Sequence, residues 1–203
     1  MVHIMPHWNI EVFDGEPVPV VIYTNCTQVE LRCNGKSLGC RETQPNTPLR
    51  WAVAYEPGKL EAIGYQDGVA CAWDTAETAG EAKKLMLRLE NDFQKPGDVA
   101  LITCYAADDE GRLVPDACPE VTFCAGGDGM LIATGSDVTD HTPLSSPIRR
   151  MRAGLISVAV GVRVDKGSYL TGAGVIELYA GSPGLRSARL RIPFGKGKTP
   201  ANL

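Results

Sequence analysis

Several things are scarce in this sequence, and each scarcity excludes something. No apolar run approaches the roughly 18 residues that a membrane-crossing helix needs. The start, Met-Val-His-Ile-Met-Pro-His-Trp, has neither the basic nor the apolar stretch of a secretory leader. It reads like the interior of a longer protein with a methionine placed in front. The net charge is −4, so the sequence lacks the basic surplus of a phosphate-backbone binder, and no nucleic-acid partner or membrane contact is expected. The basic run Arg149, Arg150, Arg152 is short and is read as a solvated strand or loop edge. Only three histidines are present and no Cys-x-x-Cys pair occurs, so no metal site and no cofactor are expected. Helical spacing of apolar residues is missing throughout.

What is present is a succession of short strands. Residues 18–25 are rich in β-branched and aromatic side chains. Val29, Leu31 and Cys33 alternate with Glu30 and Arg32, the period of a half-buried strand. Asn34-Gly35 then supplies the positive φ angles of a type I′ hairpin. Trp51, Val53 and Tyr55 alternate, Pro57-Gly58 fits a type II turn, and Asp67-Gly68 turns the chain between two further strands. The stretch Thr75 to Ala82 breaks the pattern. A second series begins at Leu85, Leu87 and Leu89. It continues through residues 98–106, 121–123, 130–134, 154–164, 168–179 and 187–192, with turns at Pro96-Gly97, Asp109 to Gly111 and Asp165. Short strands punctuated every 8–12 residues predict an all-β chain of two immunoglobulin-like β-sandwich domains in tandem. The predicted domains are residues 1–80 and 81–194, followed by a tail at 195–203.

Constellations able to do chemistry are missing. A glycosidase sets two carboxyl groups about 5–5.5 Å apart in retaining enzymes. Here the acids fall at turns (Asp67, Asp109, Glu110, Asp165) or on outer strand faces (Glu30, Glu61) and are read as solvated. Gly126 to Gly129 lacks the Gly-Lys-Ser/Thr ending and the following helix of a phosphate loop. Ser145 and Ser146 have no nucleophile-elbow context. No catalytic residue is therefore assigned. Seven cysteines (26, 33, 40, 71, 104, 118 and 124) fall mostly at strand positions and are read as reduced thiols, with a disulfide between some pair left open. This favours a reducing, cytoplasmic setting, with a periplasmic or secreted parent as the other option. Among the tryptophans, Trp51 shares a face with Val53 and Tyr55 and is expected in the core. Trp73 is ambiguous. Trp8, placed before the expected first strand, is the strongest candidate to face a sugar.

Longer strings of residues carry a resemblance. His3-Ile4-Met5-Pro6-His7-Trp8-Asn9 resembles the segment that leaves the catalytic barrel in bacterial family 2 glycoside hydrolases of the β-galactosidase type. Val20 to Asn25, Val29 to Leu31, Asn34 to Gly39, Tyr55 to Leu60 and Ala62 to Gly68 resemble that family's first domain after the barrel. Asp109 to Pro115, Val121 to Phe123, Gly135 through His141 to Arg150, and Gly184 to Ala188 resemble its last, immunoglobulin-like domain. The chain departs from the family at Ile10, where a second aromatic often stands, and through Val18.

The resemblance implies a non-catalytic C-terminal fragment. Its parent would hydrolyse terminal β-galactosides by a retaining mechanism on a (β/α)₈ barrel of about 250 residues, none of which lies in this chain. The implied partner is the barrel of the same polypeptide, with a homo-oligomer and a carbohydrate as further candidates. The implied contacts with the substrate rim are His7 and Trp8 in the leading segment, and Asp137 and His141 in the loop between strands. The other reading is a free-standing carbohydrate-binding or adhesion module.

Overall fold

The computed structural model describes residues 1–10, 16–163 and 173–195. Among these every regular element is a β-strand. The chain divides into two compact units, Met1–Ala79 and Gly80–Leu203.

The first unit contains β1 (Val2–Met5), β2 (Val18–Thr24), β3 (Gln28–Cys33), β4 (Lys36–Glu42), β5 (Leu49–Val53), β6 (Lys59–Gln66) and β7 (Val69–Glu77). They form two antiparallel sheets, β1-β2-β5 and β4-β3-β6-β7. The chain changes sheet between β2 and β3, and again on either side of β5, which makes the unit a sandwich. Alternation in the sequence selects the inner face. Val29, Leu31 and Cys33 from β3 meet Leu49, Trp51 and Val53 from β5, with Val20, Ile22, Leu60 and Ala62 completing one core. Trp51 is thus in the core, as its alternation with Val53 predicts.

The hairpin signals act as read. Asn34 and Gly35 have φ of +49° and +80°, and Asp67 and Gly68 have +52° and +78°. Asn34 also does something its motif does not announce. Its Oδ1 accepts from Lys59 N at 2.8 Å and its Nδ2 donates to Pro57 O at 3.2 Å, tying the β3–β4 hairpin to the β5–β6 turn. A Cβ on Gly58 (φ +137°) would stand 2.0 Å from that Oδ1, so the turn requires glycine.

The two open sides of this sandwich are closed differently. On one side Asp74 Oδ2 of β7 accepts from the backbone Ile4 N of β1 at 2.8 Å and lies 3.2 Å from His3 Nδ1. On the other, Arg41 of β4 stacks over the Trp51 ring at 4.7 Å and donates to Arg50 O of β5.

The second unit contains β8 (Lys84–Leu89), β9 (Ala100–Ala107), β10 (Glu120–Gly127), β11 (Gly129–Gly135), β12 (Ile148–Arg150), β13 (Leu155–Val162), β14 (Gly174–Gly181) and β15 (Ala188–Phe194). Its sheets are β11-β13-β9-β8 and β12-β10-β14-β15. Lettered from β8 as A, these orders are D-E-B-A, and C-F-G with one added edge strand, the immunoglobulin arrangement. Ile102, Ile156 and Val158 of one sheet face Val121, Phe123 and Leu178 of the other. Phe93 packs edge-on against Phe194 at 5.9 Å between centroids. Gly80 N and the Arg112 backbone N–H and Nε all donate to the buried Asp108 carboxylate, fixing the β9–β10 turn.

Some expectations meet a different structure. Strand β1 precedes Trp8, so that residue follows the first strand rather than leading into it. Glu30 is on an outer face, but the Arg32 guanidinium at 2.8 Å and the Tyr65 hydroxyl at 3.2 Å shield it, so it is not simply solvated. The reading at Asp165, the first part of the 168–179 strand, the 196–203 part of the tail and residues 11–15 of the altered segment lie outside the described residues.

Candidate functional site

The leading segment is built as packing. His7 is exposed, but Trp8 is 0% exposed. The indole lies 5.0 Å from the Tyr55 ring, and its Nε1 donates to Glu56 O at 2.9 Å. Trp8 O accepts from Thr78 Oγ1 at 2.7 Å and Tyr55 Oη at 3.3 Å. Asn9 then pairs with Ala79 in both directions, Oδ1 accepting at 2.7 Å and Nδ2 donating at 3.4 Å. This corrects the reading of Trp8 as a sugar-facing ring. With its face buried and its N–H bonded, it has neither surface nor donor to offer a ligand within this chain. The tryptophan that is exposed is Trp73, on the outer side of β7.

The Asp137 to His141 segment is built as a presented loop. It joins β11 to β12, and Arg149 of β12 holds it from beneath. The Arg149 side chain is 1% exposed, and all five of its N–H groups are used. Nη1 donates to Asp140 Oδ2 at 2.7 Å and Thr142 O at 3.1 Å. Nη2 donates to Thr134 O at 2.7 Å and Pro143 O at 2.9 Å, and Nε to Thr134 Oγ1 at 3.1 Å. Reading Arg149 as a solvated edge is therefore wrong. A planar fork with five donors suits a loop whose carbonyls turn inward, and burial is tolerable because a carboxylate completes the set.

The loop's own side chains finish the frame. Asp137 Oδ1 accepts from the backbone N and Oγ1 of Thr139 at 2.7 and 2.6 Å. Asp140 Oδ1 accepts from Thr142 N at 2.9 Å, and its Oδ2 also accepts from Ser136 Oγ at 2.9 Å. Asp137 and His141 remain on the exposed side, around Val138, which is 97% exposed. Beside the loop a groove of about 300 Å³ runs over the outer face of β9, β13 and β11. Its walls include Leu101, Leu144, Ala133 and Ser157.

The electrostatics limit what these residues can do. The Arg149 guanidinium, then the Thr142 N–H, hold the Asp140 carboxyl far below the usual range. The Thr139 hydroxyl and N–H lower Asp137. A carboxylate held ionised by donors is a poor proton donor near neutral pH. Among the described residues no group of three or more His, Cys, Asp or Glu is placed to hold a metal ion. The arrangement can present a rigid surface to something else.

Comparison with known proteins gives this geometry a setting. Residues 15–72 match the family described as a domain of unknown function, DUF4982, and residues 93–191 match glycoside hydrolase family 2 C-terminal domain 5. A beta-galactosidase of Bacteroides ovatus is 29% identical over 95% of the chain, which covers 22% of that protein. A beta-glucuronidase of Formosa agariphila is 29% identical over 98% of the chain, covering 20% of that protein. Among solved structures, a beta-glycosidase from Bacteroides vulgatus superposes with a TM-score of 0.83 at 31% identity, over 94% of this chain and 24% of that one. The chain thus spans about a fifth to a quarter of the length of these three relatives.

Proposed function

Because the chain belongs with the C-terminal accessory domains of glycoside hydrolase family 2, we propose that it is the non-catalytic end of a larger retaining β-glycosidase of the β-galactosidase type. In this reading a (β/α)₈ barrel of the same polypeptide carries the two catalytic glutamates. The two sandwiches support that barrel, and the β11–β12 loop contributes to the rim of its active site. The supporting observation is the buried Arg149 beneath Asp137 and His141. Three of its five donors bind the exposed loop, at Asp140, Thr142 and Pro143, and two bind Thr134 of β11 at its base. This makes a pre-formed contact surface, and pre-formed loops position substrates at least entropic cost. His7 is the remaining rim candidate of the leading segment, since Trp8 is committed to the core. Relatives named for galactosidase and for glucuronidase activity bracket the substrate class.

The test uses the parent enzyme with aryl β-galactoside and aryl β-glucuronide substrates. A preference for the galactoside supports the specificity, and a preference for the glucuronide overturns it. His141→Ala and Asp137→Ala should lower kcat/KM by roughly tenfold to a hundredfold, the loss of about 1–3 kcal/mol of transition-state binding. Unchanged constants in both variants would remove the loop from the rim. Glycan binding by the isolated chain at micromolar affinity would favour a free-standing binding module instead.

A further inference from the structure

Strand β7 contains an irregularity that the sandwich itself does not require. Gly64 of β6 pairs with Ala72 and the next residue, Tyr65, pairs with Ala70, so Cys71 is the extra residue of a β-bulge. A bulge re-aims a side chain at a cost in ladder hydrogen bonds. Here the Cys71 sulfur lies 3.6 Å from the sulfur of Cys26, which sits in the β2–β3 corner. Room for that second sulfur comes from another local feature. A Cβ added to Gly64 would stand 2.5 Å from Cys26 Sγ, so the glycine is what admits it. A bulge, a glycine gap and two converging thiols thus occupy one place at the end of the sandwich.

We propose that Cys26 and Cys71 are a dithiol–disulfide site, which an oxidising disulfide closes to fasten the β2–β3 corner onto β7. The two members differ in a way that orders the chemistry. Cys71 is exposed and Cys26 is 4% exposed. The Cys71 thiolate attacks one sulfur of a small-molecule disulfide such as oxidised glutathione. The glutathione S–S bond breaks, and one glutathione thiolate leaves and takes up the proton that Cys71 lost. The Cys26 thiolate then attacks the Cys71 sulfur and displaces the second glutathione. Two protein thiols lose two electrons in all, and one glutathione disulfide becomes two thiols.

The other buried cysteines are poor competitors. Burial pushes the Cys104 thiol up to about 12 and raises Cys33. The hydrogen bond with Cys26, then burial, raises Cys71 as well, so closure is slow at neutral pH and accelerates as pH rises.

The test is to hold the purified chain, dilute and folded, in a buffer of oxidised glutathione, then trap the remaining thiols with an alkylating reagent and map peptides by mass. The expected result is the loss of two of the seven thiols, with a Cys26–Cys71 linked peptide and no retained glutathione. The oxidised chain should melt several degrees above the reduced one. Cys71→Ser should form no link and show no shift in Tm with oxidant. Retention of all seven thiols, a glutathione adduct on Cys71 that never resolves, a link between other cysteines, or equal Tm in the two redox states would each overturn the proposal.

Discussion

Arg149 Nη1 lies 2.7 Å from Asp140 Oδ2, and the arginine is the more buried partner, its side chain 1% exposed against 14% for the aspartate. The charge that holds the β11–β12 loop is therefore on the strand, and the loop brings the counter-charge to it.

Removing that arginine should be felt twice. Arg149→Met leaves Thr134 O, Pro143 O and Thr142 O without their donor and Asp140 without its cation. A loss of about 3 kcal/mol in unfolding free energy is expected, read by urea denaturation of the chain. Arg149→Lys supplies three donors for five acceptor contacts and should recover less than half of it. Proteolysis should cut at Val138 faster in both variants.

Trp8 gives a prediction of the opposite kind, stability without catalysis. Trp8→Phe keeps the ring but removes the donor to Glu56 O, at a cost of about 1–2 kcal/mol. Trp8→Ala opens a cavity in the first core and should cost about 3–5 kcal/mol. In the parent enzyme at a temperature where it stays folded, Trp8→Phe should leave kcat/KM unchanged. A fall in kcat/KM without a fall in Tm would return the ring to the rim.

Asp108 sets an acid limit for the second unit. Burial raises its pKa, but the Gly80 N–H and the Arg112 side chain and N–H outweigh burial and hold it at about 2. That is below its ordinary value of 3.8, so the ionised form favours the folded state. The stabilisation, on the order of 2 kcal/mol, is complete above pH 3.8 and is lost as pH falls through about 2. Asp108→Asn should lower Tm at pH 6 and flatten its decline between pH 4 and about 2, as followed by thermal melts across that range.

The edge of β1 offers a test of association. Asp74→Ala removes the acceptor of Ile4 N and opens that side of the first sandwich. A cost of about 1–2 kcal/mol is expected, with concentration-dependent light scattering as edge strands find one another.

Strand identity is legible in the sequence where alternation and turn chemistry agree. Val29, Leu31 and Cys33 lead into Asn34-Gly35, and the same residues form β3 and its hairpin. The pairing of sheets is not legible in that way, because it depends on which strand crosses the sandwich. Nor is Arg149. Two adjacent arginines look alike on paper, yet Arg150 is exposed and Arg149 is buried. What separates them is a set of backbone carbonyls at 134, 142 and 143, and carbonyls have no sequence signature. The one signal available was Thr-Asp-His-Thr-Pro upstream, a run of short polar side chains that hydrogen-bond their own backbone and so turn carbonyls aside. Trp8 misled for a related reason. Its partners, Tyr55, Glu56 and Thr78, come from the far end of the same unit and are invisible to any local pattern.

The pairing of Asn9 with Ala79 has a geometric consequence. Ala79 is fixed at the end of the first sandwich where Gly58 also binds Thr78, whereas Met1 O accepts from Asn25 N at the opposite end. The backbone therefore enters this unit at one pole and leaves at the other, separated by the length of β7, whose nine residues span roughly 30 Å. Its first and last residues are thus held at opposite poles, and the pole that holds Met1 is the one where Cys26 meets Cys71, so the same end of the sandwich anchors both the leading backbone and the paired sulfurs.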